Sequence, residues 1–534
     1  MDGIINVYKE RGWTSFDVTK KLRSVLKEKK IGHTGTLDPD AEGVLIVCAG
    51  KATKLVNSIT ASEKVYEAEI TLGLSTDTED ISGTVLERRP VNITEDAFRQ
   101  AILSFIGQYD QIPPMYSAKK INGQKLYDLA RRGKTVERKP NRVTIKAIEI
   151  REVSLPRAVF TVTCSKGTYI RTLCKDIGDK LGTGAVMSSL KRLRVGKFDV
   201  RDSHTITEIE ALAAENRLYK ILLPAIYIPE KTVLTFGKFD GGHLGHQVIF
   251  ENVFRLAKEK HLKTAVLTFT QNPDVVVKGI NRPGISTEQE HVTRLRNYGF
   301  DYVFEFPMTK ETMRVPAEDF LKTTLIRAMN ASDIVVGADC SFGYKAEGNA
   351  ALLTKLQDTY GYTVHVIPKK QVLDEHGDYR EISSTFIKEE ITKGNVKRAH
   401  ELLGRYFSIS GVVQHGKKIG STALGFPTAN ILPPEGKTLP ADGVYVTRVL
   451  IDQKLYRGMT NVGTNPTIAE GNPVDIETYV LDFSGDLYHK KIRVDFVDRI
   501  RDQQKFDSLE ALKQQLKLDM EVTRNYPIPE LSGI

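Results

Sequence analysis

Three textures of apolar and polar residues follow one another along the chain. The sharpest change falls near "LLPAIYIPEKTVLTFGKFDG" (222–241). Just before it, "TEIEALAAENRLYKIL" (207–222) sets Ile209, Leu212, Leu218 and Ile221 at roughly helical spacing and predicts one helix. After Pro229 the apolar run "TVLTF" leads through a glycine-rich turn into the helical pattern "GHQVIFENVFRLAKEK". Further short apolar runs, "TAVLTFT", "DYVFEF", "DIVVGA" and "YTVHVIP", each follow helical sequence. Such alternation predicts a parallel sheet wrapped by helices. From about residue 407 the pattern shifts to turn-separated strands: "FSISGVVQHG", "VYVTRVLI", "KLYRGMTNVG", "VDIETYVLDF" and "KIRVDFVDRI". They predict a small antiparallel barrel, closed by a final helix, "SLEALKQQLKLDMEVTR".

A chain of 534 residues is too long for one core, so about three domains are expected. With 40% hydrophobic and 27% charged residues the composition is that of an ordinary globular protein. No run approaches the ~18 apolar residues of a membrane helix, and "MDGIINVYKERGW" lacks the apolar core of a leader. Cys48, Cys164, Cys174 and Cys340 are scattered with no C-x-x-C pair, which suits a reducing cytoplasm better than disulfides or a zinc site. Charge is unevenly placed. Residues 1–225 hold 37 Lys and Arg against 28 Asp and Glu, which accounts for the whole excess of +9; the remainder is balanced. Clusters such as "KKLRSVLKEKK", "RRGKTVERKPNR" and "KRLR" therefore favour a polyanionic partner for the first segment over merely solvated surface.

In that segment "GTLDPDAEG" (35–43) packs Asp38, Asp40 and Glu42 around Pro39. A calcium loop would need a bidentate glutamate where Ala49 stands, inside the apolar "VLIVCA". A turn fits, since Asp-Pro is common turn chemistry. "IGHTGTLDPDAEGVLIVCAGKATK" also resembles the signature loop of the TruB family of tRNA pseudouridine synthases. "KVYEAEITLGLSTDTEDISG", "QIPPMYSAKKINGQKLYDLARRG", "CSKGTYIRTLCKDIG" and "SSLKRLRVGKF" follow in the family's order. The resemblance covers nearly all of 1–225. It implies an α+β fold that isomerises a T-loop uridine of tRNA (the position-55 type) without metal or cofactor. It implies Asp38 as the catalytic carboxylate, Arg171 as the cation that keeps it ionised, and Tyr66 as the aromatic that stacks on the flipped base. His33, Tyr169, Lys191 and Arg192 would face the RNA. The PUA-type RNA-binding module usual in this family gives way to other sequence at about 226.

In "TFGKFDGGHLGHQVIF" (235–250), His243 and His246 stand three apart at the start of a helix. Zinc would need further ligands nearby; phosphate needs only N–H groups, the helix dipole and donors, and is favoured. In "EISSTFIKEEI", Ser383, Ser384 and Thr385 precede a helix as caps or phosphate ligands. This run, with "VVGADCSFGYKAEGN", resembles the FMN adenylyltransferase domain of bacterial bifunctional riboflavin kinase/FAD synthetases. That implies a Rossmann-like nucleotidyltransferase whose Gly237, Asp240, His243 and His246 meet ATP. Lys238, Gly242, Asn272 and Lys388 depart from the family pattern; a lysine in place of arginine loses bidentate contacts. "GKKIGSTALGFPTANILPPEG", "NVGTNPT" and "DIETYVLDFSGDLYHKKIRVDF" resemble the riboflavin kinase module of the same family. They imply Gly416 and Gly420 at the ATP phosphates, Thr428 and Asn430 near Mg²⁺ and phosphate, with Thr428 as the metal-site residue, and Glu477 as the base that takes the ribityl proton. Domains are expected at 1–225, 226–405 and 406–534, with tRNA, riboflavin, FMN and ATP as partners. The competing expectation is a tRNA-folding module joined to a riboflavin kinase with weakened adenylyl transfer.

Overall fold

A computed structural model describes residues 2–117, 119–121, 124–134, 136–270, 275–276, 279, 282–414, 428–463 and 475–528. They form two compact units. One runs to Pro229 and takes in Asp319–Asn330; the other comprises Glu230–Glu318 and the chain from Ala331.

The first unit is built on a nine-stranded sheet. Its strands are β1 (Gly3–Lys9), β2 (Ile31–Thr34), β3 (Glu42–Ala49), β4 (Lys64–Leu72), β5 (Gly107–Gln111), β6 (Asn141–Ser154), β7 (Arg157–Cys164), β8 (Ala185–Val195) and β9 (Phe198–Asp199). The main order is β1-β3-β8-β4-β7-β6-β5. All pairs are antiparallel except a short parallel contact that sets Lys191 against Glu42 and Arg192 against Gly43. Strand β4 reads K-V-Y-E-A-E-I-T-L and alternates strictly between buried and half-buried positions, the period-2 pattern of a strand with one face on a core. That face carries Tyr66, Ala68 and Ile70 into a cluster shared with Leu37, Ala41, Ile170 and Cys174. Helix α1 (Ser15–Leu26) opens with a capping box between Thr14 and Asp17.

The helix expected over 207–222 is shorter. It spans Ile206–Ala214, and Asn216 in the left-handed region (φ 56°) ends it before a single 3₁₀ turn, Leu218–Lys220. Ile209, Leu218 and Ile221 are nevertheless all buried in one cluster, so the spacing reported the core, not the continuity of the helix.

In the second unit a five-stranded, wholly parallel sheet comprises β10 (Thr232–Phe236), β11 (Lys263–Phe269), β12 (Tyr302–Phe306), β13 (Ala331–Gly337) and β14 (Thr363–Ile367). Its order is β12-β11-β10-β13-β14. The strand order reverses beside β10, where doubly wound sheets bind ligands at the carboxyl ends of their strands. After it, β15 (Phe407–Gln414), β16 (Thr428–Ile431), β17 (Gly443–Ile451), β18 (Lys454–Gly463), β19 (Asp475–Val480) and β20 (Lys491–Asp502) close into an antiparallel barrel. The sequence pattern predicts five of these; β16 is only four residues long and lies in the "PTAN" motif. Helix Leu509–Asn525, capped by Ser508, follows.

Candidate active sites

In the first unit the loop between β2 and β3 is held by atoms that carry no chemistry of their own. Leu37 is plugged into the core. Its N–H donates to Ser15 Oγ at 2.9 Å, and Ser15 Oγ donates back to the Leu37 carbonyl at 3.2 Å. Lys9 is fully buried and its Nζ donates to the carbonyls of Ala41 (2.6 Å), Pro39 (3.1 Å) and Glu10 (3.2 Å). Burial pushes this ammonium down to about 8, against the opposing pull of Asp38 and Asp40. Arg192, 1% exposed, donates from Nε to the Val44 carbonyl (2.7 Å) and from Nη2 to the Gly35 carbonyl (2.9 Å). Two buried cations thus cradle the carbonyls at both ends of the loop, and Asp38 is left half-buried at its apex.

Arg171 stands second in helix α2 (Ile170–Leu181) and is buried. The turn before it is fixed by Gln111, whose amide accepts from the Tyr169 N–H (2.8 Å) and donates to the Tyr169 carbonyl (2.9 Å). Every nitrogen of the guanidinium is then engaged. Nε faces Asp38 Oδ2 at 3.2 Å. Nη1 meets the Thr78 carbonyl at 3.2 Å and Asp80 Oδ2 at 3.3 Å, and Nη2 donates to the Tyr116 carbonyl at 2.9 Å. Asp80 is a site residue that sequence reasoning passed over. Its other oxygen accepts from Thr78 Oγ1 (2.8 Å) and Ser82 Oγ (2.6 Å). Arg171 is thereby fixed before it meets Asp38. With Asp38 42% exposed, the pair adds on the order of 1 kcal/mol or less to stability; what it supplies is orientation.

Tyr66 lies across from Arg192 in the β4–β8 register and is buried. Burial raises its phenol pKa, Arg192 opposing, so the hydroxyl is protonated at neutral pH. His33, on β2, has its imidazole pKa lowered by burial and then by Arg192; its Nε2 is 3.5 Å from Thr36 Oγ1. Lys191 is half-buried, 3.8 Å from Glu42 and 5.4 Å above the Tyr8 ring. The structure corrects one expectation. Arg192 is not an exposed basic residue of the "KRLR" run: it is buried, on the face it shares with Tyr66 and opposite in sense to Lys191, and it braces the backbone under the loop.

In the second unit His243 is the N-cap of helix α3 (Leu244–Lys260) and His246 lies in its first turn. Their rings stack with centroids 3.6 Å apart. Burial pushes His243 down to about 4 and His246 well below its ordinary value. Both Nδ1 atoms are buried without a hydrogen-bond partner among the described residues. His291, which sequence reasoning missed, joins them: burial pushes it to about 4, and its Nε2 is 2.9 Å from Thr268 Oγ1. Gly237 closes β10 with its N–H on the Leu267 carbonyl. Asp240, expected at the nucleotide, turns its carboxylate onto the protein backbone. Its carboxylate is buried and accepts from the N–H groups of Ile285 (3.0 Å) and Ser286 (3.2 Å), so it fastens the turn. Ser383 caps the next helix by accepting from the Phe386 N–H, Ser384 Oγ donates to the Asp240 carbonyl at 3.0 Å, and Thr385 is exposed.

On the barrel, Glu477 of β19 stands opposite Asn430 of β16 on one side and Asn461 of β18 on the other. Directly opposed residues share a face, so a carboxylate lies between two carboxamides, with Thr428 two positions along β16. Asn461 was named by no motif role, although period-2 counting from "NVG" would have placed it. Gly416, Gly420 and Asn272 lie outside the described residues.

Four family models match the chain in succession. Residues 23–170 match the family model for the TruB family pseudouridylate synthase N-terminal domain, and 171–228 that for the tRNA pseudouridylate synthase B C-terminal domain. Residues 226–386 match FAD synthetase and 403–527 riboflavin kinase. The tRNA pseudouridine synthase B of Alkaliphilus oremlandii is 53% identical over 227 residues, which cover 42% of this chain and 75% of that protein. That of Lachnoclostridium phytofermentans is 56% identical over 232 residues, 42% and 76% of the two chains. A solved structure described as a macrolide-efflux protein from Streptococcus pneumoniae aligns at 37% identity and a TM-score of 0.52 over 57% of this chain and 96% of its own. Among the described residues no helix is long and apolar enough to cross a membrane. The chain belongs to the TruB family of pseudouridine synthases, and carries FAD synthetase and riboflavin kinase domains after the synthase. Its substrates are accordingly RNA for the one part, and riboflavin, FMN and ATP for the other.

Proposed function

We propose that the first unit converts a T-loop uridine of tRNA to pseudouridine, with Asp38 as its catalytic carboxylate. The observation that carries this is the Nε–Oδ2 contact of 3.2 Å between a fully engaged, buried Arg171 and a half-exposed Asp38 at a loop apex. A cation held by three other acceptors orients the carboxylate while leaving it open to substrate. The glycosidic C–N bond of the uridine breaks, the uracil turns, and a C–C bond forms from uracil C5 to the same ribose carbon; C5 then gives up its proton and N1 takes one up, so composition is unchanged, with Asp38 as nucleophile or base. Tyr66 offers a stacking face to the flipped base, with His33 and Tyr169 beside it. The residues named need no cofactor for these roles.

The second unit phosphorylates riboflavin and adenylylates FMN. In this reading Glu477 takes the ribityl proton, and the neutral His243–His246 pair donates to the ATP phosphates. Mg²⁺ fits Thr428 and Asn430: both offer oxygen donors, and no cluster of three acidic, His or Cys ligands is found among the described residues. That is the donor set of a metal held by one or two side chains plus substrate phosphates, and such a metal would neutralise phosphate charge. The domains take the bounds 1–225, 226–405 and 406–534, and the enzyme works in the cytoplasm.

Asp38→Ala tests the first assignment. Pseudouridine is expected to vanish while tRNA binding persists; an unmutated chain that forms no pseudouridine in tRNA overturns the reading. Supplying riboflavin and Mg-ATP and resolving products by chromatography tests the second. FMN without FAD would refute adenylyl transfer.

A further inference from the structure

The turn that delivers His243 is conformationally costly and is held from outside the segment that matches FAD synthetase. Phe239, Gly241 and Gly242 all lie in the left-handed region, with φ of 45°, 78° and 55°. An L residue such as Phe239 disfavours that region, so something must hold it there. The Phe239 carbonyl accepts from the Gly242 N–H at 2.9 Å, and the other three carbonyls of the turn are taken by side chains. Ser384 donates to Asp240 O at 3.0 Å, and Tyr298 and Gln247 donate to Gly242 O at 2.9 and 3.0 Å. The Gly241 carbonyl is taken by Arg405 Nη2 at 2.8 Å. Arg405 belongs to the segment that matches riboflavin kinase. Its Nη1 donates to the Tyr406 carbonyl, while its Nε is buried without a partner among the described residues. Burial pushes the guanidinium down to about 10, still charged at neutral pH.

A second grip comes from the same segment. The Gly284 N–H donates to the Gly436 carbonyl and the Thr438 N–H to the Gly284 carbonyl, both at 2.8 Å, next to the Ile285 N–H that binds Asp240. Between them Lys437, 6% exposed, places Nζ at 2.7 and 2.6 Å from the two oxygens of Glu290. Glu290 completes the capping box of helix α4 (Glu288–Asn297), which carries His291 and ends at Tyr298. One cation thus fixes the turn and the other fixes the helix whose residues support the same turn and the same histidines.

We infer that Arg405, at the junction of the two domains just before the barrel, and Lys437, from the riboflavin kinase domain, are positioning residues of the adenylyltransferase site: they hold the 239–242 turn so that His243 and His246 meet the ATP phosphates. The inference rests on the reading of the histidine pair given above. It means that the adenylyltransferase is completed by its neighbour in the chain.

The test uses the full chain and measures FAD formation from FMN and ATP separately from FMN formation from riboflavin and ATP. Arg405→Met is expected to lower kcat for adenylylation roughly tenfold or more, with KM for ATP little changed, because the loss falls on charge stabilisation in the transition state. Riboflavin phosphorylation stays within about twofold. Arg405→Lys, which keeps one donor, recovers part of the loss. The double variant Lys437→Met, Glu290→Gln removes the second grip without burying a lone charge, and lowers adenylylation in the same selective way. Unchanged adenylylation in both variants overturns the inference, as does a fall of the two activities in step. His243→Ala with full adenylylation would overturn the site reading itself, and this inference with it.

Discussion

Arg192 shows how burial redirects a side chain that its charge had singled out. Its place in "KRLR" reads as phosphate-binding charge, yet it is buried and holds the carbonyls of Gly35 and Val44, which flank the Asp38 turn. Arg192→Met keeps the stem and abandons those carbonyls. It should cost about 1–3 kcal/mol of stability, the penalty for buried acceptors left unpaired. Pseudouridine formation should fall at least as far as the loop shifts, while tRNA affinity stays within about threefold; chemical denaturation and filter binding check the two. Lost tRNA affinity at full stability would restore the RNA-facing role. Asp38 and Arg171 were legible because a family motif carried them. Asp80 was not, since nothing in "TDTEDISG" distinguishes the acid that turns back onto Arg171 from its neighbours.

Among the elements, the parallel sheet and five of six barrel strands could be read from apolar periodicity, because strand alternation is a local property. The 207–222 helix was overextended because a left-handed Asn216 leaves the apolar spacing intact. Helix α2 depends on a contact no local pattern reveals: Gln111, at the end of β5, pins the Tyr169 backbone across 58 residues of chain. Gln111→Ala removes both hydrogen bonds to the Tyr169 backbone and a third to Tyr109 Oη, and should destabilise the first unit by about 1–3 kcal/mol. Since Tyr169 precedes Arg171, kcat for uridine isomerisation should fall more than tRNA affinity does; single-turnover rates measured beside binding decide this.

Across the whole molecule, charge and acid sensitivity divide by function. The excess of +9 is confined to residues 1–225, so tRNA affinity should fall steeply and linearly in log salt, while flavin phosphorylation changes little. A weak salt slope for tRNA would argue against a phosphate-reading surface. Acid should act on the second unit. His243 and His291 are each depressed from 6.5 to about 4 by burial, and burial holds His246 well below its ordinary value. Between those values the unfolded chain binds protons that the folded one does not. Stability is therefore fully present above about pH 6.5 and is lost as pH falls toward 4, by up to about 3 kcal/mol per buried histidine. Denaturant titrations from pH 7 to 4.5 should show the loss, and His291→Asn should flatten it.

Gly43 sits where β3 lies parallel to β8, at φ 104°, and any Cβ there would run into the Arg192 backbone. A saturation library at this codon, selected for pseudouridine in tRNA, should return glycine alone, while Asp40 and Glu42 drift freely. The acidic stretch that catches the eye is thus bordered by its least permissive letter, one that does no chemistry.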